Sequence, residues 1–149
     1  VIQVETGYTF IADGGGAIAT QTQSYPEILT RVGILAEWLE FRIAYNHTAG
    51  EIVSASPLPT DIPSGPEDLY MGFKLMLTPQ DGILPEMSLM PQWTLPTGHG
   101  STTSGIVAPG VNWLYGWDIA EWISTAGSTQ FNKMVDDDNQ VYTEFAQSW

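Results

Sequence analysis

Five charged side chains, Arg31, Glu40, Arg42, Lys74 and Glu86, lie in stretches where polar and apolar residues alternate, each on the polar side. Glu27 and Asp68 do the same near the start of their stretches. Carboxylates and cations confined to one face of neighbouring strands have two uses. They can line a pore and select ions, or they can pair and fill a narrow lumen. Eight strands leave an interior just wide enough for side chains. Buried charges must pair, so the packed network is the favoured reading. Arg42 is flanked on its face by Glu40 and Ala44. Its strand neighbours should bring Arg31 or Lys74 close, with an acid such as Glu27, Asp68 or Glu86.

Other chemistries find less support. His47 and His99 fall in polar stretches read as the third and fifth connections, on one rim, where Glu51 could join them on a metal. Loop histidines are more often solvated. A Ser-His-Asp hydrolase needs a His on the scaffold beside a Ser, and neither His is expected on a strand. Asp136-Asp137-Asp138-Asn139 has the acids of a calcium loop but not its Gly and closing Glu; a solvated turn is expected. Asn46-His47-Thr48 fits a glycosylation sequon, a triplet frequent by chance. The expectation is therefore no catalytic set, no metal and no cofactor: not an enzyme. Six aromatics, Tyr45, Trp93, Trp113, Tyr115, Trp117 and Trp149, could make a binding platform. Most sit near strand ends, which favours an interfacial girdle at headgroup depth.

The element that positions these residues is a hairpin over Glu67–Leu95. Leu69, Met71, Phe73, Leu75 and Leu77 form one face of its first arm, and Tyr70, Gly72 and Lys74 lie on the other. Pro79-Gln80-Asp81-Gly82 is turn chemistry. Met87, Leu89, Pro91, Trp93 and Leu95 continue the apolar set against Glu86, Ser88, Met90 and Gln92. A period of two held this long means strand. Each arm has the length of a bilayer-spanning strand, about 9–11 residues.

The same pattern predicts strands near 2–11, 27–32, 37–46, 106–117, 120–131 and 141–149, about eight in all. The strand over 120–131 has the poorest alternation. Polar stretches 13–24, 47–66 and 96–101 read as long loops. The odd connections come out long and the second and sixth short, as in an outer-membrane barrel with long outer loops and short periplasmic turns. Both chain ends then lie on the periplasmic side. Pro91 and Pro109 fall inside strands, where a closed barrel needs every N–H; bulges are expected there.

Composition agrees. The 149 residues suit one domain. A net charge of −13 with only 4 Lys and Arg leaves no basic patch for nucleic acid. Cysteine is absent, which excludes disulfide and thiol chemistry. No apolar run approaches the roughly 20 residues of a membrane helix, but barrel strands hide their apolar residues by alternation. The chain starts at Val1 with no Met and no leader, as expected of a mature form or a fragment.

Four segments carry a family resemblance: LTRVGILAEWLEFRIAYNH, EDLYMGFKLML, MPQWTLPTG and APGVNWLYGWDI. Within them stand Arg31-Val32-Gly33, Glu40-Phe41-Arg42, Gly72-Phe73-Lys74 and Leu95-Pro96-Thr97-Gly98. Over roughly Leu29–Ile119 the chain resembles the MetA-pathway phenol-degradation family of outer-membrane transporter-like proteins. The resemblance implies an outer-membrane barrel. It carries over no catalytic or substrate residue.

The expectation is therefore all-β: an antiparallel up-and-down barrel of about eight strands, outer-membrane type, complete in itself or part of a larger barrel. It would sit in the outer membrane of a Gram-negative-type bacterium, in contact with lipid and with a small-molecule solute. Its function would be transport of, or a channel for, small aromatic or apolar solutes. The alternatives are a soluble barrel or sandwich binding an apolar ligand, a structural membrane barrel with a plugged lumen, and a segment assembling with other chains.

Overall fold

The computed structural model describes residues 1–14, 18–55, 64–136, 138 and 140–149. The chain is all-β, with ten antiparallel strands in one sheet. They are β1 (Ile2–Gly14), β2 (Ile18–Gly33), β3 (Leu39–Tyr45), β4 (His47–Ala55) and β5 (Ser64–Pro66). Then come β6 (Leu69–Thr78), β7 (Glu86–Leu95), β8 (Ala108–Ala120), β9 (Ile123–Val135) and β10 (Val141–Ser148). One 3-10 turn spans Gly100–Thr102. Among the described residues no helix is long and apolar enough to cross a membrane.

The ten strands make eight rungs. β3 and β4 run end to end along β2, at Ile28–Gly33 and Ile18–Ser24 respectively. β5 continues β6 in the same way, pairing β4 while β6 pairs β3. The order is otherwise a plain meander, β6-β7-β8-β9-β10, with β1 on the far side of β2. Among the described residues β1 and β10 do not pair with each other, so the sheet is open. The even number of rungs puts both chain ends on one rim, with the turns at 34–38, 79–85 and 121–122. The connections at 96–107 and 136–140 lie on the other.

Several boundaries differ from the sequence reading, for one physical reason. The stretch 13–24 is mostly strand: β1 runs to Gly14, and β2 begins at Ile18 rather than near Glu27. The stretch 47–66 contains β4 and β5, and its residues 56–63 lie outside the described set. These extensions have no continuous apolar face: that of β2 is rich in Thr, Gln and Ser, and that of β4 mixes small, polar and apolar residues. They therefore give no period-two signal, yet their backbones pair, as in Ala12 opposite Gln21, with register shifts between Gly7 and Thr9 and between Ala19 and Thr20. His47 therefore opens a strand rather than lying in a loop. β8 and β9 start two and three residues later than read, at Ala108 and Ile123.

The two strand prolines sit without bulges at their own positions. The β7–β8 ladder runs through Pro91 opposite Val111 and Pro109 opposite Trp93 with no register shift. Toward β6, the ladder skips from Gly72–Gln92 to Leu75–Leu89 and resumes in the same register, a gap where Pro91 has no N–H to give. Pro109 precedes the first β8–β9 pair, Gly110 opposite Asn132, so its missing donor falls beyond that ladder.

The two faces are buried in the opposite sense to a soluble sheet. Asn112 is 9% exposed and Trp113, one residue on, is 45% exposed. Among the described residues Thr48, Ser88 and Asn112 are buried and polar, and Met90, on the same parity as Ser88, is buried and apolar. Leu77, Phe131 and Phe145 are exposed on the other face. With no second layer packed on this sheet, side chains become buried only where they crowd one another. That happens on the inside of a curl, so the sheet curls toward its polar face.

Candidate functional site

One row of positions crosses the polar face from edge to edge. Gln3 is opposite Arg31, Arg31 opposite Arg42, Arg42 opposite Gly72, and Gly72 opposite Gln92. Gln92 is opposite Gly110, Gly110 opposite Asn132, and Asn132 opposite Glu144. Two arginines thus stand side by side, and each has its own acid. Arg42 Nε donates to Glu40 Oε1 at 2.6 Å, and Arg31 Nη2 donates to Glu5 Oε2 at 3.0 Å. The acid beside Arg42 is Glu40 of its own strand, not Glu27, Asp68 or Glu86. Two residues apart on one strand, both point to the same face and lie within reach. Lys74 is opposite Glu40 in register, so Arg31, Arg42, Glu40 and Lys74 do come together.

The remaining expected charges are dispersed. Glu27 stands opposite Gly7 on β1, with its carboxylate over the glycine, in a cleft of about 250 Å³ shared with Glu5 and Asn46. Glu86 stands opposite Gly116 and shares a cleft of about 340 Å³ with Lys74 and Ser88, toward the terminal rim. Ser88 Oγ and Asn112 Oδ1 have no protein partner.

A neutral chain of hydrogen bonds continues the arginine row. The Tyr70 hydroxyl donates to Gln92 Oε1 at 3.1 Å, and Gln92 Nε2 donates to Asn132 Oδ1 at 2.9 Å. The second bond passes over β8, and Gly110 permits it: a Cβ there would overlap the Asn132 amide. Gly72 likewise leaves room for the Tyr70 hydroxyl, which would lie 2.9 Å from an added Cβ. Single-strand alternation does not reveal this chain. The polar parity of Tyr70 and Gln92 was visible, but Asn132 fell just past the strand read over 120–131, and register across four strands was not visible at all.

The outer face carries apolar rows. Ile2 pairs with Val32, Val32 with Phe41, and Phe41 with Phe73, the two rings 5.3 Å apart. Beyond the Pro91 gap, Val111 pairs with Phe131 and Phe131 with Phe145. The six expected aromatics fall on either side of these rows. Tyr45 and Trp93 lie toward the long-connection rim. Trp113, Tyr115, Trp117 and Trp149 lie toward the terminal rim as one edge-to-face cluster, with Tyr115 central at 5.2–6.2 Å from the other three.

A family model described as "Putative MetA-pathway of phenol degradation" matches residues 1–149, the whole chain. The chain belongs to this family. No curated protein and no solved structure matches it. Family membership thus extends past the 29–119 segment whose motifs carry the resemblance, into the outer strands β1, β9 and β10.

In this family member the long-connection rim is built around Asp68 and its neighbour Glu67. Asp68 does not join the charged row. Its carboxylate accepts from Gly98 N at 2.9 Å, Ser104 N at 2.8 Å and Ser104 Oγ at 2.7 Å. Partial burial pushes its carboxyl up. The bonds from Ser104, Thr103 and Gly98 together outweigh that and hold it below the usual carboxylate value of 3.8. Glu67 accepts from Asn46 and from the buried Thr48 hydroxyl. His47 pairs with Pro66, whose carbonyl accepts from His99 N, so both histidines do reach one rim. Among the described residues no group of three His, Asp or Glu is arranged to hold a metal ion. Asp136 Oδ1 is engaged by the amides of Asp138 and Gln140; Asp137 and Asn139 lie outside the described residues.

Proposed function

We propose that the protein is an outer-membrane β-barrel that passes small solutes along its polar face. The observation that carries this is the inverted sheet: Asn112 is buried inside while Trp113 beside it is exposed outside, and Ser88 and Met90 on the neighbouring strand are buried on the same inner face. A charge at mid-bilayer on the lipid face costs about 2–4 kcal/mol. Arg31, Arg42 and Lys74 all avoid that face. Aromatics flanking apolar rows match the girdles of such barrels. The family's description suggests aromatic solutes of the phenol class.

A plugged structural barrel is the second reading, favoured by the pairing of Arg31 and Arg42 with their own acids. The experiment uses the chain folded into detergent and then into liposomes. Heat-modifiable gel migration is expected, with flux into the liposomes of a sulfonated phenol, whose charge keeps it from crossing protein-free lipid. A chain that stays monomeric and folded without detergent sinks the membrane reading. Heat modifiability without flux of the sulfonated phenol or of ions selects the plug.

A further inference from the structure

The turns on the terminal rim expose what a water-facing turn ordinarily hides. Leu35 is 98% exposed, Ile83 95% and Trp122 84%. Leu35 is also strained. Its φ is +59°, and it centres a three-residue turn closed by Ala36 N on Ile34 O at 2.5 Å. Such turns are rare and strained. Left-handed backbone suits Gly or Asn and is an outlier for a bulky residue. Neither solubility nor backbone geometry favours leucine here. The Ile83 turn is held firmly, with the Trp117 indole donating to Ile83 O and Gln80 bonded twice to the Asp118 backbone. A rigid strut that presents an isoleucine to water is as unexplained as a strained turn that presents a leucine.

The same turns are acidic. Glu37, Asp81 and Glu121 are exposed beside the apolar tips, with Asp118 at the foot of the last. No Lys or Arg lies within 34–38, 79–85 or 118–122. The turns follow every second rung, so their tips are two strand spacings apart, about 10 Å. Seven residues of α-helix advance about the same distance.

We infer that this rim docks a protein partner through a basic amphipathic helix. On a closed eight-rung rim the three tips span half the circumference, so the helix would lie across the mouth with its apolar face on Leu35 and Trp122 and its flank on Ile83, and its Lys or Arg would meet Glu37, Asp81 and Glu121. An anionic lipid surface would be repelled by these acids, so charge favours the protein partner over the bilayer. The inference rests on the barrel reading, because it needs the rim to stand clear of lipid.

The test uses the chain in zwitterionic nanodiscs and two labelled synthetic helices of about three heptads. One is Leu/Lys and the other Leu/Glu with the same apolar stripe. The Leu/Lys helix should bind, and the Leu/Glu helix should not. Binding should weaken at least about tenfold in the L35N/I83N/W122Q variant. Leu35→Asn alone should raise the melting temperature of the free protein by relieving the strained turn. Equal binding of both helices, or equal binding to the variant, overturns the docking surface. So does quenching of Trp122 by brominated lipid as strong as that of Trp113. A loss of stability in Leu35→Asn also overturns it, by making the leucine structural. Failure to enter nanodiscs at all overturns the barrel reading instead.

Discussion

The Arg42 side chain is 14% exposed and its partner Glu40 31%, so this pair is the less solvated of the two on the polar face. Arg42→Ala removes a charge-assisted bond worth about 1.5–3 kcal/mol. It also removes the apposition with Arg31, and Lys74 stands ready opposite Glu40. The net cost should therefore fall near 1–2 kcal/mol, below the ~3–5 kcal/mol of a wholly buried orphan. Chemical denaturation in detergent measures it. In an open lumen the same variant shifts the reversal potential toward cations. If neither quantity moves, Arg42 faces bulk water and the inside and outside are reversed. Asp68 gives a prediction with a pH sign. Its carboxyl is depressed in the folded state, so its contribution is present above the ordinary value near 3.8 and is lost as pH falls through the lower folded value. Protonation removes the acceptor for Ser104 and Gly98. Amide exchange in the 96–107 connection should speed up as pH falls below the ordinary carboxylate value and through the lower folded one, while the β7–β8 ladder stays protected.

Side-chain alternation made the apolar rows and the inward parity of Arg31, Arg42 and Lys74 legible in the sequence. Those patterns need only one strand at a time. The extensions of β1, β2 and β4 were not legible, because a strand with no continuous apolar face has no period to read. Glu40 was legible beside Arg42 on its own strand, and it is the partner; the further acid expected from a neighbouring strand, Glu27, Asp68 or Glu86, is not the one bonded. The Tyr70–Gln92–Asn132 chain depends on register over four strands, and register shows only once the strands are paired. Gly127 illustrates how closely elements fit around such pairings. A Cβ there would lie 2.7 Å from both Ser148 O and the Tyr115 ring, on the side where Tyr115 meets Trp149. Because a backbone oxygen cannot yield as a flexible side chain can, Gly127→Ala should cost about 1–3 kcal/mol. The β9–β10 pairing should loosen first, measured as faster amide exchange in β10 than in β7. Equal protection in both would mean that Tyr115 and the strand end adjust freely.

At the scale of the molecule, the open sheet and the greasy exterior make one demand together. Unpaired strand edges are not tolerated in lipid, so if the proposed barrel inserts, β1 and β10 gain partners as it does. In nanodiscs, amides of β1 that do not face β2 should exchange as slowly as those that do. Persistent fast exchange along that edge would mean that the sheet does not span lipid as a closed wall. The chain of side-chain bonds over Gly72 and Gly110 has a mechanical consequence for such a wall. It runs across the strands beside the backbone ladder and ties β6, β7 and β9 directly to one another, skipping β8. A tie on the inner surface acts as a hoop, resisting any flattening of the arc at that level. Above and below it the ties are local, Asp68 to Gly98 and Ser104 on one rim and Gln80 to Asp118 on the other, and between them the softer twist of the strands sets the curvature. Lateral tension in the surrounding bilayer should therefore splay the two rims before it widens the waist.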